Sequence, residues 1–381
     1  MLDIETLRLI WWVLIGVLFM GFAIMDGFDL GAATLLPFVT RNEIERRIVL
    51  NVIGPIWEGN QVWIILGAGA LFAAWPYVYA VAFSGAYFVV LLLLLTMGIS
   101  RPVSFKYRSK LPNVFWRRFW DWVVFIGGCL PSIIFGALIG NVLIGLPFSF
   151  DPTLRITYTG KLLELFNPFA LWCGLTSLAM LSMHGGIFLA IKTEQPIRAR
   201  AAFYAKMAAL LLIILFTGGG FWAAYFLKAY RVIDGANPFG YSNPLHKHVA
   251  MQVGAWMDNY ANYPWSKIVP TLGFAGALTA FLFLAWKKYR LAFICSSIAI
   301  IGVIGTVGVS MFPFILPSST DYASSLLVWD ASSSQLTLLI MLGVVLIFLP
   351  IVLLYTAWVY RVLRGPVRGE VIEKDAQHTA Y

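Results

Sequence analysis

The chain has 381 residues, 60% of them hydrophobic and only 12% charged, with a mean hydropathy of +0.82. That composition excludes a water-soluble domain, which needs far more polar surface. The formal net charge of +9 would suggest nucleic acid if the basic residues clustered on one soluble face. They sit instead in short segments between long apolar runs, so membrane topology explains them better.

A spanning helix needs about 20 predominantly apolar residues. On that template helices are predicted near 9–36, 52–74, 77–100, 119–144, 168–191, 202–227, 266–286, 291–313 and 335–360. The first run begins at Leu7, lacks a small-residue cleavage site and continues past signal-peptide length, so it is expected to remain as helix one. The connections after helices one, three, five and seven, with the tail, hold 20 of the 27 Lys and Arg residues. Arg8, Arg155, Lys161, Lys228, Arg231, Lys247 and Lys267 are the other 7. This asymmetry predicts an outside N-terminus and a cytoplasmic C-terminus, and a wrong helix count would scramble it.

The expected fold is therefore all-α and integral to the membrane, with about nine spanning helices. Two four-helix units, 1–150 and 151–315, would be followed by a ninth helix and a cytoplasmic tail, 316–381. The long connection 229–265 should form an ordered or partly helical cap. Pro313 and Pro317 should end helix eight, because proline removes a backbone donor and clashes with the preceding turn. Ser332 and Gln335 have the spacing of a capping box at the start of helix nine.

Ionisable groups inside apolar runs carry the functional signal, since a charge near the bilayer centre costs several kcal/mol and is rarely kept without a task or a partner. Asp26, Asp29, Glu58 and Asp121 qualify. Asp26 and Asp29 lie three residues apart, on one helix face, with Gly27 and Gly31 allowing another helix to approach closely. Glu58 is followed by Asn60 and Gln61, and burial there would favour a neutral, proton-exchanging acid. Arg101 and Asp121 stand near the cytoplasmic ends of helices three and four, where they could pair; Arg101 could equally snorkel to headgroups.

Cys129, Cys173 and Cys295 lie singly in apolar runs and read as packing residues. His184 is the one histidine in an apolar run; His246 and His248 are in the outside loop and His378 is in the tail. One candidate axial ligand makes this chain a poor host for several haems. No phosphate-binding loop, dinucleotide fingerprint, zinc-protease motif or catalytic triad stands in a plausible context.

The segments Glu5-Thr6-Leu7-Arg8, Asp26-Gly27-Phe28-Asp29-Leu30-Gly31, Trp57-Glu58-Gly59-Asn60-Gln61-Val62-Trp63, Ala73-Ala74-Trp75-Pro76, Arg101-Pro102, Tyr107-Arg108-Ser109-Lys110, Phe312-Pro313-Phe314 and Ser333-Ser334-Gln335-Leu336-Thr337 resemble subunit II of the cytochrome bd-type ubiquinol oxidases. The resemblance spans essentially the whole chain. It implies a heterodimeric respiratory enzyme of the bacterial inner membrane, whose subunit I carries two b-type haems and one d-type haem, oxidises quinol and reduces oxygen to water. Subunit II would not be catalytic alone. It would lend Asp26, Asp29 and Glu58 to a cytoplasmic proton route, with Asn60, Gln61, Arg101 and Asp121 in support. The resemblance also implies room for small single-helix accessory subunits and for a quinone held as a structural lipid.

Two other readings stay open on the residues alone. A secondary transporter would also explain the helices and their carboxylates. A purely structural assembly subunit would use the same carboxylates only to bond a partner's helices.

Overall fold

In the computed structural model of the chain, residues 2–85 and 87–369 are described; His378 and the rest of the tail from 370 onward lie outside them. The chain enters as α1 (Ile4–Met25), capped by the Asp3 side chain, which accepts from the Thr6 amide at 2.7 Å. The helix breaks at Asp26 and resumes as α2 (Gly27–Val39), followed by the short α3 (Glu43–Ile53) and by α4 (Trp57–Ala74). The return path is segmented into α5 (Pro76–Gly85), α6 (Tyr87–Leu93), a π-helical stretch Leu94–Ser100 and α7 (Arg101–Tyr107). Two long helices follow, α8 (Val114–Ile144) and α9 (Pro168–Lys192), each capped by an asparagine, Asn113 and Asn167. Then come α10 (Ile197–Tyr225), the short α11 (Asp258–Asn262), α12 (Ile268–Ala285), α13 (Tyr289–Met311) and α14 (Gln335–Val362).

Eight helical segments among the described residues are long and apolar enough to cross a membrane, with α1 and α2 counting as one. α4 is a further helix of 18 residues whose first turns are diluted by Glu58, Asn60 and Gln61. The count of about nine holds in this approximate sense. The first predicted helix differs in one respect: it is two helices meeting at Asp26.

The apolar core has two parts. One surrounds Phe28, Leu30, Ile53, Trp57, Leu181 and Ile187; the other surrounds Leu7, Trp11, Trp75, Trp256, Phe314 and Leu327 at the opposite ends of the helices. α2 and α9 meet backbone to backbone: a Cβ on Gly31 would lie 1.9 Å from the Leu181 carbonyl oxygen, and one on Gly185 would lie 2.4 Å from the Ala32 nitrogen. Without a hydrophobic drive between helices in lipid, such small-residue contacts are how helices gain close packing.

The Arg8 end is closed by an ordered cap that is partly helical, at Ala255–Met257 and α11, and otherwise built of strands. It holds three two-stranded antiparallel sheets: β1 (Phe148–Phe150) with β2 (Ile156–Tyr158), β3 (Lys228–Asp234) with β4 (His248–Val253), and β5 (Phe314–Leu316) with β6 (Leu326–Leu327). Fully buried Arg8 ties it down, donating to the Ser332 hydroxyl (2.8 Å) and to the carbonyls of Pro238 (2.6 Å) and Gly240 (3.0 Å). Lys247 bonds Asp330 at 2.7 Å; burial holds the lysine below and the aspartate above their ordinary values, and each partner opposes that drift.

The Ser332–Gln335 capping box does not form. Ser334 caps α14 by accepting from the Thr337 amide at 3.2 Å, Ser332 is committed to Arg8, and the Gln335 side chain donates to the Leu2 carbonyl. A buried guanidinium makes the stronger claim on the hydroxyl.

Gly31→Ala should lower the thermal stability of the purified assembly, since overpacking of this kind costs about 1–3 kcal/mol. Gly16→Ala, where a new Cβ meets nothing within 4 Å, should leave the melting temperature unchanged or slightly raised. Equal melting curves for both variants would contradict the α2–α9 contact.

Candidate functional site

The helix break sets the site. Asp26 stands between α1 and α2 and Asp29 in the first turn of α2, and both are fully buried. Asp26 Oδ1 accepts from Arg101 Nη2 at 2.9 Å, and both side chains are wholly inaccessible. Asp29 Oδ2 accepts from the Asn60 amide at 2.7 Å, and Asn60 Oδ1 accepts from the Tyr360 hydroxyl at 2.7 Å. The cluster thus gathers α2, α4, α7 and α14.

Two carboxylates face one guanidinium. The Asp26 Oδ2, Asp29 Oδ1, Arg101 Nε and Arg101 Nη1 atoms have no hydrogen-bond partner among the described residues. Buried polar atoms are normally paired, so four orphans in one place mark a site held for something other than stability. Arg101 is aimed inward by the π-helical stretch, whose wider turn lets its amide reach back five residues to Thr96. Its guanidinium also lies 5.7 Å from the Trp57 ring.

The expected Arg101–Asp121 pairing does not occur. Arg101 turns into the core, and Asp121 takes Arg108 (2.5 Å) and Arg46 (3.6 Å). Arg108 also forks onto Glu43 at 2.9 Å through both terminal nitrogens, so Asp121 belongs to a separate cluster near the ends of α3, α7 and α8. Planar guanidinium groups favour such two-point contacts.

Glu58 is not buried. Two residues from Asn60, it occupies the opposite face of α4, which also exposes Gly59, Val62, Ile65 and Phe72. Gln61 is half-buried beside it and makes no bond to the Asp29 chain. α4 therefore turns Asn60 inward and Glu58 outward, through a helix only about 10–12 Å across.

His184 does not fit a haem ligand. Its Nε2 donates to the Ile24 carbonyl at 3.0 Å and its Nδ1 lies 2.7 Å from the Ser296 hydroxyl, so both ring nitrogens are engaged. In the cap, His248 bonds Asp234 and His246 lies against Asn243. Among the described residues no three metal-ligating side chains converge.

The family model for cytochrome bd terminal oxidase subunit II matches residues 7–363. The chain belongs to this family. It is 45% identical over 381 residues to the cytochrome bd-I ubiquinol oxidase subunit 2 of Escherichia coli strain K12, covering 100% of both chains. It is 30% identical over 362 residues to the cytochrome bd ubiquinol oxidase subunit 2 of Bacillus subtilis, covering 95% of this chain and 97% of that one. The fold matches a chain of the bd oxidase from Geobacillus thermodenitrificans, with a TM-score of 0.61 and 14% identity over 94% of this chain and 98% of that one. As a cytochrome bd subunit II, the protein is a multi-pass inner-membrane component of a respiratory terminal oxidase, an oxidoreductase complex in which it acts with a partner subunit.

One member of the site escaped the sequence reading: Tyr360 sits in an apolar run where an aromatic reads as interface or packing. Arg101→Met should prevent accumulation of the spectrally intact oxidase, because breaking a buried pair costs about 3–5 kcal/mol. Adding Asp26→Asn should restore much of it; normal accumulation of the single variant would show the pair to be dispensable.

Proposed function

We propose that this chain is the obligate partner of a haem-bearing subunit I and supplies intramembrane carboxylates to the cytoplasmic proton route for oxygen reduction to water. The b-type and d-type haems are assigned to subunit I, where they supply the redox chemistry. Among the described residues, the histidine placed inside an apolar run, His184, has both ring nitrogens engaged, which supports that assignment.

One observation supports the reading: of two fully buried carboxylates only Asp26 bonds the Arg101 guanidinium, Asp29 bonds the Asn60 amide, and each keeps one oxygen without a hydrogen-bond partner among the described residues. The unmatched charge is costly in an apolar interior, and binding a proton relieves it. Asn60 and Tyr360 extend from Asp29 as a hydrogen-bonded chain. Glu58 continues the route on the outer face of α4. A carboxylate there would be unfavourable against lipid, so that face suits subunit I, which would receive the proton. The N-terminus is assigned to the outside and the C-terminus to the cytoplasm, following the basic residues. The resemblance's structural quinone finds a candidate seat in the apolar groove of about 400 Å³ between α1 and α14, lined by Ile10, Leu14, Leu342, Leu346 and Pro350.

A structural reading draws on the Asp26–Arg101 pair, and charge removal separates the two. Glu58→Gln should reduce oxygen-dependent quinol oxidation while leaving the haem spectrum near normal, and Asp29→Asn should do so more mildly. A role in assembly alone would lose haem together with turnover, and unchanged turnover in both variants would sink the proton route. Tyr360→Phe, which removes one hydroxyl from the chain, should slow turnover several-fold without loss of haem; an unaltered rate would remove Tyr360 from the route.

A further inference from the structure

The break that creates the carboxylate site lies between two helix ends, and the last carbonyls of a helix have no partner within it. Ile24 contributes one of these in the final turn of α1. It is met from another helix: His184 Nε2 of α9 lies 3.0 Å from the Ile24 oxygen. A carbonyl only accepts, so Nε2 carries the hydrogen; Nδ1 lies 2.7 Å from Ser296 Oγ of α13, whose one hydrogen is shared between Nδ1 of a neutral ring and the Phe293 carbonyl at 2.9 Å.

The ring is fully buried and fixed on its faces as well as its edge. It stacks on Phe293 at 4.5 Å and stands 6.1 Å from Phe28, which itself stacks on Phe188 one turn further along α9. The adjacent Gly185 touches the Gly31 backbone. α9 thus holds the turn between α1 and α2 from two sides, by backbone contact after Asp29 and by hydrogen bond before Asp26.

We propose that His184 is a positioning residue: its bond to the Ile24 carbonyl, with Ser296 behind it, fixes the helix break so that Asp26 meets Arg101 and Asp29 meets Asn60. This geometric claim is independent of proton transfer. Its consequence for turnover rests on the proton route proposed above.

The test compares His184→Leu, which fills the space without a donor, His184→Gln, whose amide can reach both partners, and Ser296→Ala, which loosens the ring with little loss of volume. Each is made in the intact oxidase, with three readouts: the haem spectrum, quinol-driven oxygen consumption, and amide hydrogen exchange in peptides covering 22–32. In His184→Leu exchange should rise about tenfold in those peptides, equivalent to about 1.4 kcal/mol, and turnover should fall several-fold. His184→Gln should return both to within about twofold of the parent. Ser296→Ala should raise exchange in the same peptides and nowhere else, an arm that remains if His184→Leu does not assemble.

Unchanged exchange in both His184→Leu and Ser296→Ala overturns the proposal, as does loss of turnover in His184→Gln equal to that in His184→Leu. Raised exchange with undiminished turnover upholds the positioning role and sinks the proton-route reading instead.

Discussion

The rest of the molecule depends on an unequal meeting of charges: Asp26 and Asp29, both fully buried, against the single guanidinium of Arg101. A buried ion pair rarely adds stability over apolar packing, and a second buried carboxylate makes the balance worse. The chain nevertheless bends several elements to build it. α1 and α2 are interrupted at Asp26, the segment before Arg101 is wound as a π-helix, and α4 brings an asparagine inward. Local departures from regular helix gather where the charges gather, the pattern expected of a site kept for function.

The surrounding packing absorbs the cost. Gly31 and Gly185 let α2 and α9 touch along their backbones, so the broken helix rests against a rigid neighbour. At the other end Arg8, itself buried, binds the cap through carbonyls and a serine hydroxyl. The surface of α4 is left unfinished, with Glu58 among apolar side chains. Members of this family work as one subunit of a cytochrome bd oxidase, and the proposed function uses that face for the second chain.

Much of this was legible in the sequence because lipid makes few exceptions. Apolar runs located the helices, and the cost of membrane charge singled out Asp26 and Asp29 before any contact was visible. Partners were harder. Asp121 and Arg101 are close in sequence, but the π-helical stretch and α7 rotate Arg101 toward Asp26, 75 residues away. Glu58 was expected inside, yet residues two apart on a helix face opposite ways and only Asn60 could be buried against Asp29. Ser332 had the right spacing to cap a helix, and a buried arginine 324 residues distant took it instead. Tyr360 and the β3–β4 hairpin depend on long-range pairing that no local pattern announces.

Redox-induced infrared difference spectra of the intact oxidase, compared in water and heavy water, test the central claim most directly. If the Asp26–Asp29 site exchanges a proton during turnover, the spectra will contain a carboxyl C=O signal that shifts in heavy water and disappears in Asp29→Asn. Identical carboxyl signals in the parent and in Asp29→Asn would contradict that claim and leave the buried pair a structural device.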